Sequence, residues 1–530
     1  MRRRRIAAAA VGLGLLATAA PAATQEDDRP SVTAAVQVTD NRDPNRAHST
    51  PQMAVNPVTG EIVIGSAEVR TRKTCDIHIS ADGGRSWAPG GDPMMRPFTD
   101  CSQQATNGPY ITFQFLPDGV LWAAFFASDP KYAVLNNRIE TPRHVFVARS
   151  QDSGRTWETM RAYEGKEGDP GIGNSRRAQI AVDPGDPQNV YVGWQRGAAS
   201  GTPRRAFLSV SHDGGRTWAD PQELSDGRGG DQPRPVVDRN GVVHVIFPAD
   251  GFRPPGATGD PEIRPMIYRR STDRGRTWSP MQEIDPGNAG FSFMRKPMLA
   301  IDLESGTLHL TWYGNPNPRA RRPPAGQPST DEFDDRDIYL RTSTDGGATW
   351  GDRVTVNDDA NRPNVQHYDS GIAVAPNGRV DAAWYDFRNS PVPEFEASGG
   401  NAGGSQDVYF SWSGDDGRSF APNVRVTDRI IDRSIGVWSN NVHSHTNVAV
   451  ASTDAAAYVA WQDTRNGNAT AQAEDIYFAA VRFGPVERAG SGGDDGAPAW
   501  LVVGASAAVG MGLTALLVLA LSRRRSAATA

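Results

Sequence analysis

The 530-residue chain has little of three things: cysteine, long apolar runs and excess positive charge. Only Cys75 and Cys101 occur, and a metal centre needs more ligands than that pair offers nearby. Uninterrupted apolar segments are confined to the two ends, and nothing between them has the pattern of a long helix. The formal net charge is −6. Setting aside the seven arginines of the two ends leaves 48 basic residues against 61 acidic ones, a balance that argues against a nucleic-acid partner. Glycine and proline are plentiful, 55 and 39 residues, as in a chain with many tight turns.

The ends read as export and anchoring signals. Residues 1–23 combine Arg2 to Arg5, an apolar run from Ile6 to Ala19 and a small-residue ending, the pattern of a secretory signal peptide. Residues 486–499 read as a flexible stalk, and 500–521 is an uncharged stretch of 22 residues, long enough to cross a bilayer as a helix. The tail 522–530 carries Arg523, Arg524 and Arg525, which the positive-inside rule assigns to the cytoplasm. The expectation is a single-pass cell-membrane protein, bacterial in composition, with its body outside the cell.

That body, residues 31–485, is built on repetition. One phrase, Ser-x-Asp-x-Gly-x-Ser/Thr-aromatic, occurs six times, with its aspartate at 82, 152, 213, 273, 345 and 415. Intervals of 60 to 72 residues mean an array of like units. Ahead of each phrase stands a strand–turn–strand pattern, from 51–67 and 110–126 through 178–194, 234–247, 296–312 and 370–384 to a seventh at 447–461. A third strand runs into the phrase, which becomes the turn to a fourth. The seventh unit has no phrase and no fourth strand, but VQVTDN (36–41) matches VRVTDR (424–429) of the sixth. The N-terminal segment is therefore expected to complete the last sheet and close an all-β, seven-bladed propeller. In each phrase Asp and Ser/Thr can bond turn backbone, Gly accepts positive φ and the aromatic is expected to bury a large apolar surface. Cys75 and Cys101 fall at one end of the same blade, and in an exported chain they are expected to pair.

The phrase resembles the Asp-box of bacterial neuraminidase (BNR) repeats, and the chain is identified as similar to the sialidase-like β-propeller superfamily. That resemblance implies an exo-α-sialidase-type glycoside hydrolase acting on glycans without a cofactor. In family sialidases three arginines grip the substrate carboxylate, a Tyr–Glu pair supplies the nucleophile and an Asp the acid. Those sialidases have six blades and an Arg-Ile-Pro motif; this chain has seven hairpins and no such motif. The alternative is a non-catalytic propeller binding a glycan, cell-envelope polymer or protein.

Connections on the face opposite the repeated turns are long, so a site belongs there. Aligning the first strands by their turns puts Thr50, Tyr110, Arg177, Gln232, Lys296, Asp369 and His445 in a ring at the axial mouth, flanked by Arg176, Arg234, Arg295, Tyr368 and His443. For a sialoside, Arg177, Arg234, Arg295 and Lys296 would bind the carboxylate, with Tyr110, Gln232 and His445 as further contacts. Tyr368 would be the nucleophile and Asp369 the acid. His443 and His445 have no matching third ligand, so no metal is expected. WYDFRN (384–389) and WQDTRNGN (461–468) read as structural Asp–Arg pairs. Nothing in the sequence speaks to oligomeric state.

Overall fold

The computed structural model describes residues 29–484 except 69, 71–73, 99–110, 129–142, 167–175, 197–203, 228, 250–264, 287–295, 315–335, 360–364, 392–404 and 437–446. The expected leader, the stalk, the anchor and the tail lie outside the described residues. Among the described residues there is no helix long and apolar enough to cross a membrane.

Seven antiparallel sheets follow one another along the chain. Their first strands are His48–Val55, Thr112–Phe115, Arg176–Val182, Arg234–Val237, Met298–Ile301, His367–Val374 and Ala449–Ser452. These contact one another in cyclic order, the seventh meeting the first. They form the inner wall of a seven-bladed propeller, numbered here as blades 1 to 7. Second strands are covered on both faces and therefore read as continuous apolar runs, Ile62–Glu68 and Val380–Asp386 being buried throughout. Four of them place a fully buried tryptophan opposite an aromatic or Phe of the third strand: Trp194 with Phe207, Trp312 with Tyr339, Trp384 with Tyr409 and Trp461 with Tyr477.

The ring closes as the sequence predicts. Val36–Gln37 pairs with the third strand of blade 7 in the register Val36↔Phe478 and Gln37↔Tyr477. In blade 6 the corresponding pairs are Val424↔Phe410 and Arg425↔Tyr409. A second short strand, Ser31–Val32, extends the same edge opposite Arg482 and Val481.

The six repeated turns are near-copies. In each, the leading serine hydroxyl donates to the aspartate at 2.7–2.9 Å and accepts the amide of the glycine at 2.7–2.9 Å. The closing Ser/Thr hydroxyl donates to the other carboxylate oxygen at 2.5–2.7 Å. The glycine is required twice over. Gly84 has φ +88°, and a Cβ there would sit 1.9 Å from Phe478 of the preceding blade. Each turn thus staples its blade to the one before. The closing aromatics Trp87, Trp157, Trp218, Trp278, Trp350 and Phe420 are half-buried, Trp87 and Trp350 packing edge-on against Phe478 and Tyr268 of the preceding blade. The large buried tryptophans belong to the second strands.

Cys75 opens the third strand of blade 1 and is buried. No free cysteine occurs among the described residues, and the expected partner Cys101 lies outside them.

Candidate functional site at the axial mouth

Three of the first strands carry a pairing irregularity at their mouth ends. Pairing slips between Ser49 and Gln52 in blade 1, Arg176 and Gln179 in blade 3, and Tyr368 and Gly371 in blade 6. At this level Thr50, Gln232, Lys296 and Asp369 adopt φ of +51°, +44°, +31° and +52°. Left-handed backbone at a non-glycine residue costs about 1–3 kcal/mol and collects at functional sites. These are four of the seven positions at which the aligned sequence puts its ring, and all four side chains are buried. Lys296 of blade 5 and Asp369 of blade 6 form an ion pair of 2.6 Å, each side chain 2% exposed. Such a pair is held by geometry, since desolvation offsets much of its attraction.

One layer deeper the inner strands enclose a cavity of about 330 Å³. Gln52, Thr112, Gln114, Gln179 and Arg234 supply a polar side from blades 1 to 4, facing Met298, Leu299, Ile372 and Val450. Arg234 donates to Gln179 at 2.9 Å. Thr112 and Gln114 are committed to the backbone of blade 3.

Tyr368 and Asp369 are neighbours on one strand and part ways. The Tyr368 ring packs edge-on against Tyr313 and Phe387, at 5.6 and 5.5 Å between centroids. Its hydroxyl donates to Gln366 and accepts from Arg336, whose guanidinium also lies 4.9 Å from the ring centroid. The Arg336 carbonyl accepts Nδ1–H of His367. His367 is wholly buried, with Nε2 3.0 Å from Asp359 and 3.3 Å from Asp386. Burial alone would push this imidazole down. The Asp386 charge and the bonds to Asp359 and Asp386 outweigh it and hold the pKa well above the ordinary histidine value. Asp386 is correspondingly held low: burial would raise it, but His367 and Arg388 prevail.

Asp359, His367 and Asp386 bring ligand-type atoms within 4.8 Å of one another, as a metal site would. Arg388 lies 2.8 Å from Asp386 and 3.1 Å from Asp359 and supplies the positive charge there. It belongs to a clasp that blades 6 and 7 share. Trp384 and Trp461 donate to Asp386 and Asp463 at 3.0 and 2.9 Å. Arg388 and Arg465 bind those carboxylates and lie 4.1 Å over Tyr409 and Tyr477. Asn389 and Asn466 bridge to Asp407 and Asp475. The WYDFRN and WQDTRNGN segments are therefore structural pairs, as their repetition suggests.

Of the sequence-assigned site residues, Gln232, Lys296 and Asp369 stand together at the mouth, Arg234 lies in the layer below and Tyr368 faces the blade 5–6 interior. Arg177 sits within the blade 3 irregularity, its side chain not among those described; Tyr110, Arg295 and His445 lie outside the described residues. Sequence reasoning passed over Arg336, Gln366 and His367. His367 could have been found from its place two residues before a ring position.

No family model matches the chain. A sialidase of Micromonospora viridifaciens is 35% identical over 132 residues, 22% of this chain and 20% of that relative. Over that stretch the chain is similar to a sialidase, and its fold is a seven-bladed propeller. It spans about a fifth of the length of that curated relative. Among solved structures, the phage phi92 endosialidase aligns at TM-score 0.46 and 10% identity over 88% of this chain and 72% of its own. An α-L-arabinanase of Penicillium chrysogenum complexed with arabinobiose aligns at 0.44 and 16%, over 67% and 94%. The Hadza microbial sialidase Hz136 aligns at 0.41 and 14%, over 78% and 74%. Alignments this loose assign no role to any residue of this chain.

Proposed function

We propose that this sialidase-like propeller is a glycoside hydrolase that takes its glycan at the long-loop mouth. The supporting observation is the ring of left-handed, buried, non-glycine residues carrying the Lys296–Asp369 pair, a strain that packing alone does not call for. In an exo-α-sialidase reaction Asp369 would serve as acid and Tyr368 as nucleophile, its phenolate favoured by the Arg336 guanidinium. Arg234, with Arg177 and Arg295, would receive the carboxylate. Incubating the folded chain with a fluorogenic sialoside tests this: release that is lost in D369N and Y368F supports it, and no release removes it.

A second reading, glycan or protein recognition without turnover, is favoured by the opposite facing of Tyr368 and Asp369 and by the commitment of Asp369 to Lys296. Retention on a glycan array with no product would select it. The proposal places the propeller outside the cell on a single-pass anchor, supported by the 1–23 and 500–521 segments and the arginines after the latter. A Cys75–Cys101 disulfide is part of the same reading, and a non-reducing peptide map checks it.

A further inference from the structure

The seam where the ring closes holds two histidines. His48 opens the inner strand of blade 1, two residues before Thr50, and is wholly buried; His78, on the third strand of the same blade, is 3% exposed. His48 Nδ1 lies 3.6 Å from Asp76 and His78 Nε2 lies 3.7 Å from Asp40, both beyond hydrogen-bond length. Among the described residues neither nitrogen of His48 nor Nδ1 of His78 has a hydrogen-bond partner. The same holds for Asn41 Nδ2 in the closing segment and for the Ser49 and Ser66 hydroxyls of blade 1. Buried polar atoms are rarely left this way, and here they crowd one seam.

The charges facing these rings come from every side of it. Blade 1 supplies Glu68 and Asp76, the N-terminal segment Asp40, and blade 7 Asp475. Asp475 is already bound by Arg46 at 2.6 Å, and Glu68 accepts the Ala47 amide at 3.1 Å. The strands joined across the seam, Ser31–Val32 and Val36–Gln37, have two residues each. Such short pairings open more readily than a whole blade.

We propose that this seam is an acid-sensitive clasp, shut while His48 and His78 are neutral and opened when they take up protons. Burial pushes both imidazoles below the ordinary histidine range, for His48 against the pull of Asp76, Asp475 and Glu68, for His78 against that of Asp76 and Asp40. The closed seam therefore refuses protons that the opened one accepts from about pH 6.5 downward. Over that window the opening constant rises by up to about tenfold per pH unit for each histidine. Because His48 precedes Thr50 by two residues, the edge of the mouth between blades 7 and 1 loosens first.

Hydrogen–deuterium exchange of the full chain between pH 7.5 and 4.5, corrected for intrinsic rates, tests the clasp. Opening of the 31–40 segment should grow about 5- to 30-fold from pH 6.5 to 5.5, while the second strand of blade 3, which carries no histidine, stays unchanged. A H48N/H78N double variant should flatten that dependence, and H309N, a buried histidine of blade 5, should not. A pH-indifferent 31–40 segment, a parallel rise in the second strand of blade 3, or flattening by H309N would overturn the proposal. Should the double variant fail to fold, the two wild-type segments decide alone.

Discussion

The two ends of the propeller are built on opposite plans. At the turn end one phrase recurs with the same hydrogen bonds six times, so the sequence is constant and the backbone follows from it. At the mouth end the shared feature is the backbone kink. The residues on it differ from blade to blade: Thr50, Gln232, Lys296 and Asp369. Repetition of side chains marks a scaffold. A repeated conformation filled with unlike side chains marks a place where each blade contributes something different, as a site for an asymmetric ligand requires.

This contrast can be broken by substitution. The largest loss is expected for Trp194→Ala, about 3–5 kcal/mol, because its ring is fully buried. Trp218→Ala, in a repeated turn, should cost only about 1–2 kcal/mol, since that ring is half-buried. Equal shifts in denaturant midpoint would erase the distinction between staple and core. Lys296→Met should cost about 3 kcal/mol by removing the cation paired with the buried Asp369 carboxylate, and Asp369→Asn added to it should restore part of the loss. A Lys296 variant as stable as the parent would show that the mouth is not held by this pair.

Acid sharpens the comparison next. His309 lies buried in the second strand of blade 5, and burial lowers its pKa to about 4 against the attraction of Asp416 and Asp302. The folded form keeps it neutral, so its contribution is complete above pH 6.5 and is lost as pH falls toward 4. The change amounts to about 3 kcal/mol, absent in His309→Asn, as read from chemical denaturation at several pH values. The smallest effect belongs to one turn: Asp213→Asn should cost about 1 kcal/mol. Its carboxyl is drawn to about 2, chiefly by the Thr217 hydroxyl and amide. The turn network is intact above the ordinary carboxylate range and fails only as pH falls through 2. A midpoint shift above that of Trp218→Ala would contradict the ranking.

Much of the fold was legible because its determinants are local. The phrase, the hairpin turns and the match of VQVTDN to VRVTDR each specify their own geometry, and Val36 and Val424 do occupy equivalent registers. Counting back from the turn reached four residues of like backbone, Thr50, Gln232, Lys296 and Asp369, for the same reason, since register along one strand is a local property. What escaped were contacts between distant segments. His367 meets Asp359 and Asp386 only once three strands have come together, and nothing in HYD announces Arg336. The facing of Tyr368 was likewise set by Tyr313 of the preceding blade.

The strand that completes the last sheet carries a consequence for biogenesis. The Ala480 amide donates to the Thr33 hydroxyl across 447 residues of chain. The earliest part of the domain to be synthesised is therefore satisfied by the latest, and a nascent polypeptide holds two ragged β-margins until its final turn emerges. Deleting residues 29–40, or the Asp475–Arg482 strand they pair with, should yield not a smaller wheel but an adhesive, protease-prone product.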